Sequence, residues 1–240
     1  MTPESAAELF RANTLPLDEA TILKLLEYER LLLEWNEKIN LVSRKDTAEV
    51  FTRQIVGSIA FLFSCRFVGG TKLLDVGTGG GLPGIPLSII HPDIAVTMVD
   101  SIQKKIKTVD DMVARLGLGN AISICGRVEQ LDRQKVGKFD YIVARAVSSA
   151  TEIVGWCGEL LRTKGRYRMH SAGAADADEG DGAKMLIPPG SFILLKGGDL
   201  TDELAQLSEI TPPPAVVVRP LNVAGAEGMF TDKKVLIITP

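Results

Sequence analysis

The chain has 240 residues, 45% of them hydrophobic, which is enough to bury a core of ordinary domain size and excludes a disordered or fibrous protein. A formal charge of −3 gives no global attraction to nucleic acid or to an anionic membrane. Any polyanionic partner has to be met by a local basic patch.

In chain order, Met1 to Phe10 carries Glu4 and Glu8, where a signal peptide would have a basic start and an apolar centre. No apolar run approaches the length of about 18 residues that spans a membrane. A cytoplasmic protein with no membrane partner is expected. After Pro16, residues Leu17 to Ile39 place Ile22, Leu25, Leu26, Leu32, Leu33, Trp35 and Ile39 at helical spacing, with charged side chains mostly between them. A second helix is expected from a cap at Asp46 through Val50, Phe51, Ile55, Ile59 and Phe63. Residues 1–68 therefore read as a helical N-terminal extension packed on residues 69–240.

From Lys72 the pattern alternates. Strands are expected at 72–77, 95–100, 121–126, 139–146 and 191–197, and helices at 82–91, 102–117, near 128–134, 149–163 and 199–208. Two last apolar runs, Ala215 to Arg219 and Val235 to Thr239, have no helix between them. Repeated βα units require right-handed crossovers and give an α/β, Rossmann-like doubly wound sheet, mostly parallel, here closed by an antiparallel C-terminal hairpin. Residues 166–190 are too long for an ordinary connection, and their small, acidic middle reads as a mobile surface insertion. Cys65, Cys125 and Cys157 are odd in number and far apart. They fit a reducing compartment, form neither a disulfide framework nor a zinc site, and are expected to be plain core residues.

The most informative segment is Asp75-Val76-Gly77-Thr78-Gly79-Gly80-Gly81, which closes the first strand of the alternating region. Glycines allow positive φ and let the backbone approach a ligand closely, and the helix beyond offers unpaired N–H groups. A second strand ends in Asp100, where a nucleoside-binding sheet places an acid on the ribose hydroxyls. The dinucleotide pattern Gly-x-Gly-x-x-Gly fails when counted from Gly77, because the sixth position is Leu82. Asp75 would also set an anion beside a pyrophosphate. Its carboxylate, pointed into the pocket, suits a ligand with an ammonium or sulfonium group, and S-adenosylmethionine carries both. Taken singly, Asp75 could be a turn former and Asp100 the N-cap of the following helix. Arg145 could serve an ion pair with Glu129 or Asp100, and Lys196 could simply reach solvent.

Trp35-Asn36 with Asn40-Leu41, Leu74 to Leu87 with its Leu-Pro-Gly-Ile-Pro continuation, Val99-Asp100-Ser101, Arg127-Val128-Glu129, Ala144-Arg145-Ala146 and Leu195-Lys196-Gly197 together carry a family resemblance. The chain resembles the bacterial small-subunit (16S) ribosomal RNA guanine-N7 methyltransferases, the glucose-inhibited division protein B family, from about residue 25 to the C-terminus. The resemblance implies a class I methyltransferase fold with S-adenosylmethionine as donor. It also implies N7 of one guanine in 16S ribosomal RNA or the small ribosomal subunit as acceptor. No metal is expected, and a monomer is expected. The resemblance puts Gly77, Gly79, Gly81 and Leu82 around the methionine and ribose portions of the donor and Asp100 on the ribose hydroxyls; Asp75 and Ser101 are expected among the cofactor-binding residues as well. Val128 and Glu129 should flank the adenine, Arg145 should line the pocket, and Arg145 and Lys196 are the candidate catalytic residues. The Asn/Asp-Pro-Pro-aromatic motif of exocyclic-amine methyltransferases is replaced by Ala144-Arg145-Ala146-Val147, and no cysteine follows a proline as a cytosine-C5 enzyme would need.

The chain departs from the family pattern in three places. Gln54 and Gly57 stand where His and Asp are usual, Gly80 where Pro is common, and Lys233 where an Arg is common. Basic clusters at Arg44-Lys45, at Lys104, Lys105 and Lys107, and at Arg162, Lys164, Arg166 and Arg168 are solvated faces or, for the last, a phosphate contact. Two alternatives remain: a methyltransferase for another RNA or a ribosomal protein, and a non-catalytic cofactor-binding assembly factor.

Overall fold

The structure, a computed structural model, describes residues 1–43, 49–162 and 184–240. Its first element is a helix that hydrophobic spacing alone did not single out, α1 (Pro3–Ala12), started by a Thr2 side chain that accepts from the Ser5 N–H and by proline in the first turn. Helix α2 (Glu19–Asn36) begins at Asp18, whose carboxylate accepts from Thr21 N, and buries Ile22, Leu25, Tyr28, Leu31 and Leu32 along one face. The expected helix from Asp46 to Phe63 differs: Asp46 lies outside the described residues, and the path is a π-helical turn at Phe51–Val56, a short α3 (Gly57–Ile59) and a 3-10 turn at Ala60–Phe63. A wide π turn at this point matches the frequent placing of such turns at functional sites.

The βα alternation then runs through β1 (Cys65–Arg66), β2 (Lys72–Val76), α4 (Gly84–Ile90), β3 (Ala95–Asp100), α5 (Gln103–Leu116) and β4 (Ala121–Cys125). It continues through α6 (Arg133–Val136), β5 (Tyr141–Arg145), α7 (Ala150–Cys157), β6 (Met185–Leu186), β7 (Ser191–Gly197), α8 (Thr201–Ser208), β8 (Ala215–Pro220) and β9 (Lys233–Thr239). Seven strands form one sheet in the order β4-β3-β2-β5-β7-β9-β8. The first five are mutually parallel, and β9 is antiparallel to both β7 and β8. The hairpin expected at the C-terminus is therefore present, with its second strand inserted beside β7.

Because side chains alternate across a strand, Leu73 and Leu74 face opposite sides of the sheet and enter different cores. Leu73, Val96, Tyr141, Val143 and Ile193 join one continuous cluster with Phe10, Leu25, Leu32, Ile55 and Phe61 of the N-terminal helices. Leu74, Val99, Ile142, Phe192 and Leu194 pack instead against Ile153 and Cys157 of α7 and Leu207 of α8. The N-terminal helices thus cover a sheet face that would otherwise be apolar and bare. Each fully buried leucine contributes about 1.5–3 kcal/mol.

Three expectations need correction. Cys125 is exposed, because β4 is the edge strand and its last residue points outward, whereas Cys65 and Cys157 are buried. The end of the 166–190 interval is a strand, with Met185 and Leu186 paired in parallel with Cys65 and Arg66; residues 163–183 lie outside the described residues. Arg162, read within a phosphate-binding run, donates through Nη1 to the buried carboxylate of Asp140 at 2.6 Å and is held there as an ion pair.

Candidate functional site

Successive strands β2, β3 and β4 build the sheet outward in one direction, and β5 starts again on the other side of β2. Such a reversal opens a crevice at the carboxyl ends of the strands, where open α/β sheets hold ligands. A cavity of about 350 Å3 lies there, lined by Gly77 after β2, Asp100 and Ser101 after β3, Val128 and Glu129 after β4, and Val147 after β5. A second cavity, of about 480 Å3, opens at the ends of β5 and β7 and is lined by Arg145, Leu195 and Lys196. Ala146 belongs to both walls, and its φ of 53° is the left-handed conformation that alanine seldom adopts.

The glycine loop is folded by its own backbone. Gly77 N and Thr78 N both donate to Val99 O, at 2.8 and 3.0 Å, and Leu82 N donates to Thr78 O at 2.9 Å. Gly77, Gly79 and Gly81 have φ of 68°, 58° and 94°. At Gly77 a Cβ would also stand 2.5 Å from Val147 Cγ2, so glycine is required on both counts. Asp100 ties this loop to the next: Oδ2 accepts from Gly79 N at 3.0 Å and Oδ1 from Ile102 N at 2.9 Å. A carboxylate oxygen has a further lone pair after one such bond, so Asp100 can still accept from a hydroxyl in the cavity. Lys105 Nζ lies 3.9 Å from Asp100 Oδ2, while Glu129 pairs with Arg127 at 3.7 Å.

Asp75 differs from the expectation that it points into the pocket. Its side chain is fully buried beneath the loop, where Oδ2 accepts from Thr78 Oγ1 at 2.6 Å and from Gly84 N at 2.9 Å. Burial pushes its pKa up to about 6, against the opposing pull of those two hydrogen bonds and of the Arg145 charge. Oδ1 is buried with no hydrogen-bond partner among the described residues. Leu82 likewise packs in the core beneath the loop and does not line the cavity.

In the second cavity, Arg145 Nη1 donates to Gln54 Oε1 at 2.9 Å. Lys196, the other candidate, turns its ammonium to Glu203 Oε1 at 2.6 Å and to the carbonyl of Ser148. The same Glu203 oxygen accepts from the N–H of Ala150, so the pair fixes the start of α7. The remaining lining comes from Arg53, from Leu221, and from Met229, Phe230, Asp232 and Lys233 before and at the start of β9.

The family model described as "rRNA small subunit methyltransferase G" matches residues 21–185. The chain belongs to the rRNA small subunit methyltransferase G family. It is 40% identical over 198 residues to the ribosomal RNA small subunit methyltransferase G of Christiangramia forsetii, covering 82% of each chain. To the protein of that name from Chlorobaculum tepidum it is 34% identical over 233 residues, covering 95% of this chain and 94% of the relative. Among solved structures, a precorrin-6y C5,15-methyltransferase from Geobacter metallireducens aligns with 83% of this chain and 89% of its own at 13% identity, with a TM-score of 0.48.

Gln54 and Gly57 both line the second cavity. Gln54 holds Arg145, and a Cβ at residue 57 would stand 2.6 Å from Cε1 of Phe230. The Phe230 ring thus lies against the backbone at Gly57. None of Phe230, Met229 or Asp232 belongs to a local motif. The apolar spacing of β9 begins only after them, so no signal in the sequence marked them.

Proposed function

We propose that the protein transfers the methyl group of S-adenosylmethionine to N7 of a guanine in 16S ribosomal RNA, using the 350 Å3 cavity for the donor and the 480 Å3 cavity for the base. The observation that carries this reading is that the two cavities meet at Ala146, at the topological switch point of a sheet whose sequence places the chain in an rRNA methyltransferase family. Residues 1–68 are read as an extension of the 69–240 methyltransferase domain, a reading supported by their shared core.

The donor suits the residues present. Asp75, buried beneath the loop and outside the lining of either cavity, serves the site by holding Thr78 and Gly84 in place. Asp100 and Ser101 offer acceptors for ribose hydroxyls, and Val128 and Glu129 form the wall proposed to flank the adenine. Gly77, Gly79 and Gly81 keep the loop free of side chains where the methionine portion would lie. When bound, S-adenosylmethionine supplies an electrophilic methyl on a sulfonium.

The rest is positioning. Guanine N7 already has an in-plane lone pair and loses no proton on methylation, so no general base is required. The protein has to bring acceptor and donor into line and exclude water. Phe230, Met229 and Leu221 offer apolar surface for the base, and Arg145, with Arg53 and Lys233 in surface pairs with Glu49 and Asp232, offers cationic groups to the flanking RNA backbone. Lys196, held by Glu203, is read as shaping the wall through the start of α7. The test is incubation of small ribosomal subunits, and of naked 16S RNA, with the protein and methyl-labelled donor, followed by mass spectrometry of nucleosides. Label in N7-methylguanosine is expected. Label in another nucleoside or in ribosomal protein would overturn the acceptor assignment.

A further inference from the structure

Tyr28 is completely buried on α2, in the core that the N-terminal helices share with one face of the sheet, and it lines neither cavity. The hydroxyl donates to the carbonyl oxygen of Gly80 at 2.8 Å, across 52 positions of sequence. This bond reaches the centre of the loop. Gly80 lies between two residues with positive φ, Gly79 and Gly81, and the other loop bonds come from the loop itself or from β3 and the residue that ends it.

The same helix closes on Gly80 with apolar contacts. A Cβ placed there would lie 2.8 Å from Leu32 Cδ1 and 3.3 Å from Leu41 Cβ. Leu41 is itself held by the turn after α2, where Asn36 Oδ1 accepts from Leu41 N and Val42 N, both at 2.9 Å. Helix α2 is anchored elsewhere as well: Trp35 Nε1 donates to Asp111 Oδ2 at 2.8 Å, and Glu34 pairs with Arg115 at 3.1 Å, both partners lying on α5. The extension therefore grips both the glycine loop and the helix that follows Asp100.

We propose that Tyr28 is a positioning residue for the donor site: its hydroxyl holds the Gly80 peptide so that the glycine loop is set in its binding conformation before the donor arrives. Glycine loses more backbone freedom on ordering than any other residue, and this loop has four. A bond that orders it in the free protein removes that cost from binding and so raises affinity. The inference rests on the reading that the glycine loop binds S-adenosylmethionine.

Tyr28→Phe keeps the ring and removes only the hydroxyl. Calorimetry with S-adenosylmethionine and S-adenosylhomocysteine is expected to show Kd raised about three- to tenfold, the range for one lost neutral hydrogen bond. Kinetically, KM for the donor should rise while kcat at saturating donor and KM for RNA stay at the wild-type values. Trp35→Phe is the control: it removes a bond that anchors the same helix without touching the loop, so it should lower the melting temperature and leave the donor Kd unchanged. A Tyr28→Phe variant that melts lower but binds the donor with wild-type affinity, or a Trp35→Phe variant that weakens the donor equally, would make Tyr28 a packing residue and overturn the proposal. Wild-type protein that fails to bind the donor would overturn the reading of the loop itself, a separate outcome.

Discussion

The two cavities that meet at Ala146 are built in opposite ways. The cavity proposed for the donor is made by short turns that follow β2, β3 and β4, and its shape is held by backbone bonds such as Gly77 N to Val99 O and by two carboxylates, Asp75 and Asp100. The base cavity is assembled from segments around residues 53–57, 145–146, 195–197 and 221–233, and its character comes from side chains. Chemistry done by backbone in a turn demands a fixed local sequence. Chemistry done by side chains from distant segments leaves the local sequence freer, which is why no motif marked Met229, Phe230 or Asp232.

The sharpest way to break this comparison is Asp100→Ala. Each charge-assisted bond lost from the ribose costs about 1.5–3 kcal/mol, so donor Kd should rise by at least about tenfold, and by more if both hydroxyls are released. Binding of RNA should be unaffected, as read by filter binding beside calorimetry. Equal loss of RNA binding would mean that the two cavities are not separate sites.

Arg145→Ala is the converse. Removing the guanidinium bonded to Gln54 should lower kcat/KM for RNA about 10- to 100-fold, the scale of one charged hydrogen bond, with donor Kd near wild type. A thermal melt distinguishes lost function from lost fold. If the variant melts early but its folded fraction is fully active, Arg145 is structural.

A smaller effect sharpens the donor side through pH. Asp75 has a folded pKa of about 6, above its ordinary 3.8, because burial disfavours the carboxylate. In the free protein the protonated form is therefore favoured by folding: its stabilising contribution is complete below pH 3.8 and is lost as pH rises through about 6. Asp75→Asn should accordingly melt higher than wild type at pH 8, and that advantage should vanish toward pH 4. Thermal melts of wild type and Asp75→Asn across pH 4 to 8 check the sign: an advantage of the variant that grows toward pH 4 would contradict it.

These contrasts also explain what the sequence made legible. The alternation from Lys72 to Thr239 follows from short continuous apolar runs and glycine turns, so the strands of the main sheet could be placed almost to the residue. Asp100 was readable because an acid at a strand end is rare without a reason. Asp75 was readable as special, but its direction was not: only the fold shows that Thr78 and Gly84 draw its carboxylate under the loop. Helix α1 had its Thr2-Pro3 start in plain view, though too few apolar residues to mark it by periodicity. The π turn at Phe51–Val56, the β1–β6 pair and the Phe230 contact with Gly57 depend on partners far away in sequence, and no local pattern encodes them.

The central claim is that these adjoining cavities place a methyl group on guanine N7 in small-subunit ribosomal RNA. N7 methylation puts positive charge on the imidazole ring and makes the base labile to reduction and aniline cleavage. N7 of a guanine in an A-form helix faces a deep, narrow groove, so the site should be a loop, bulge or other splayed position. The decisive measurement is aniline cleavage of 16S RNA from cells that make the protein, from cells in which its gene is deleted, and from deleted cells supplied with wild type or with Asp100→Ala. A single cleavage site present in the first, absent in the second and restored only by wild type is the predicted result. Cleavage that is the same with and without the gene would contradict the account.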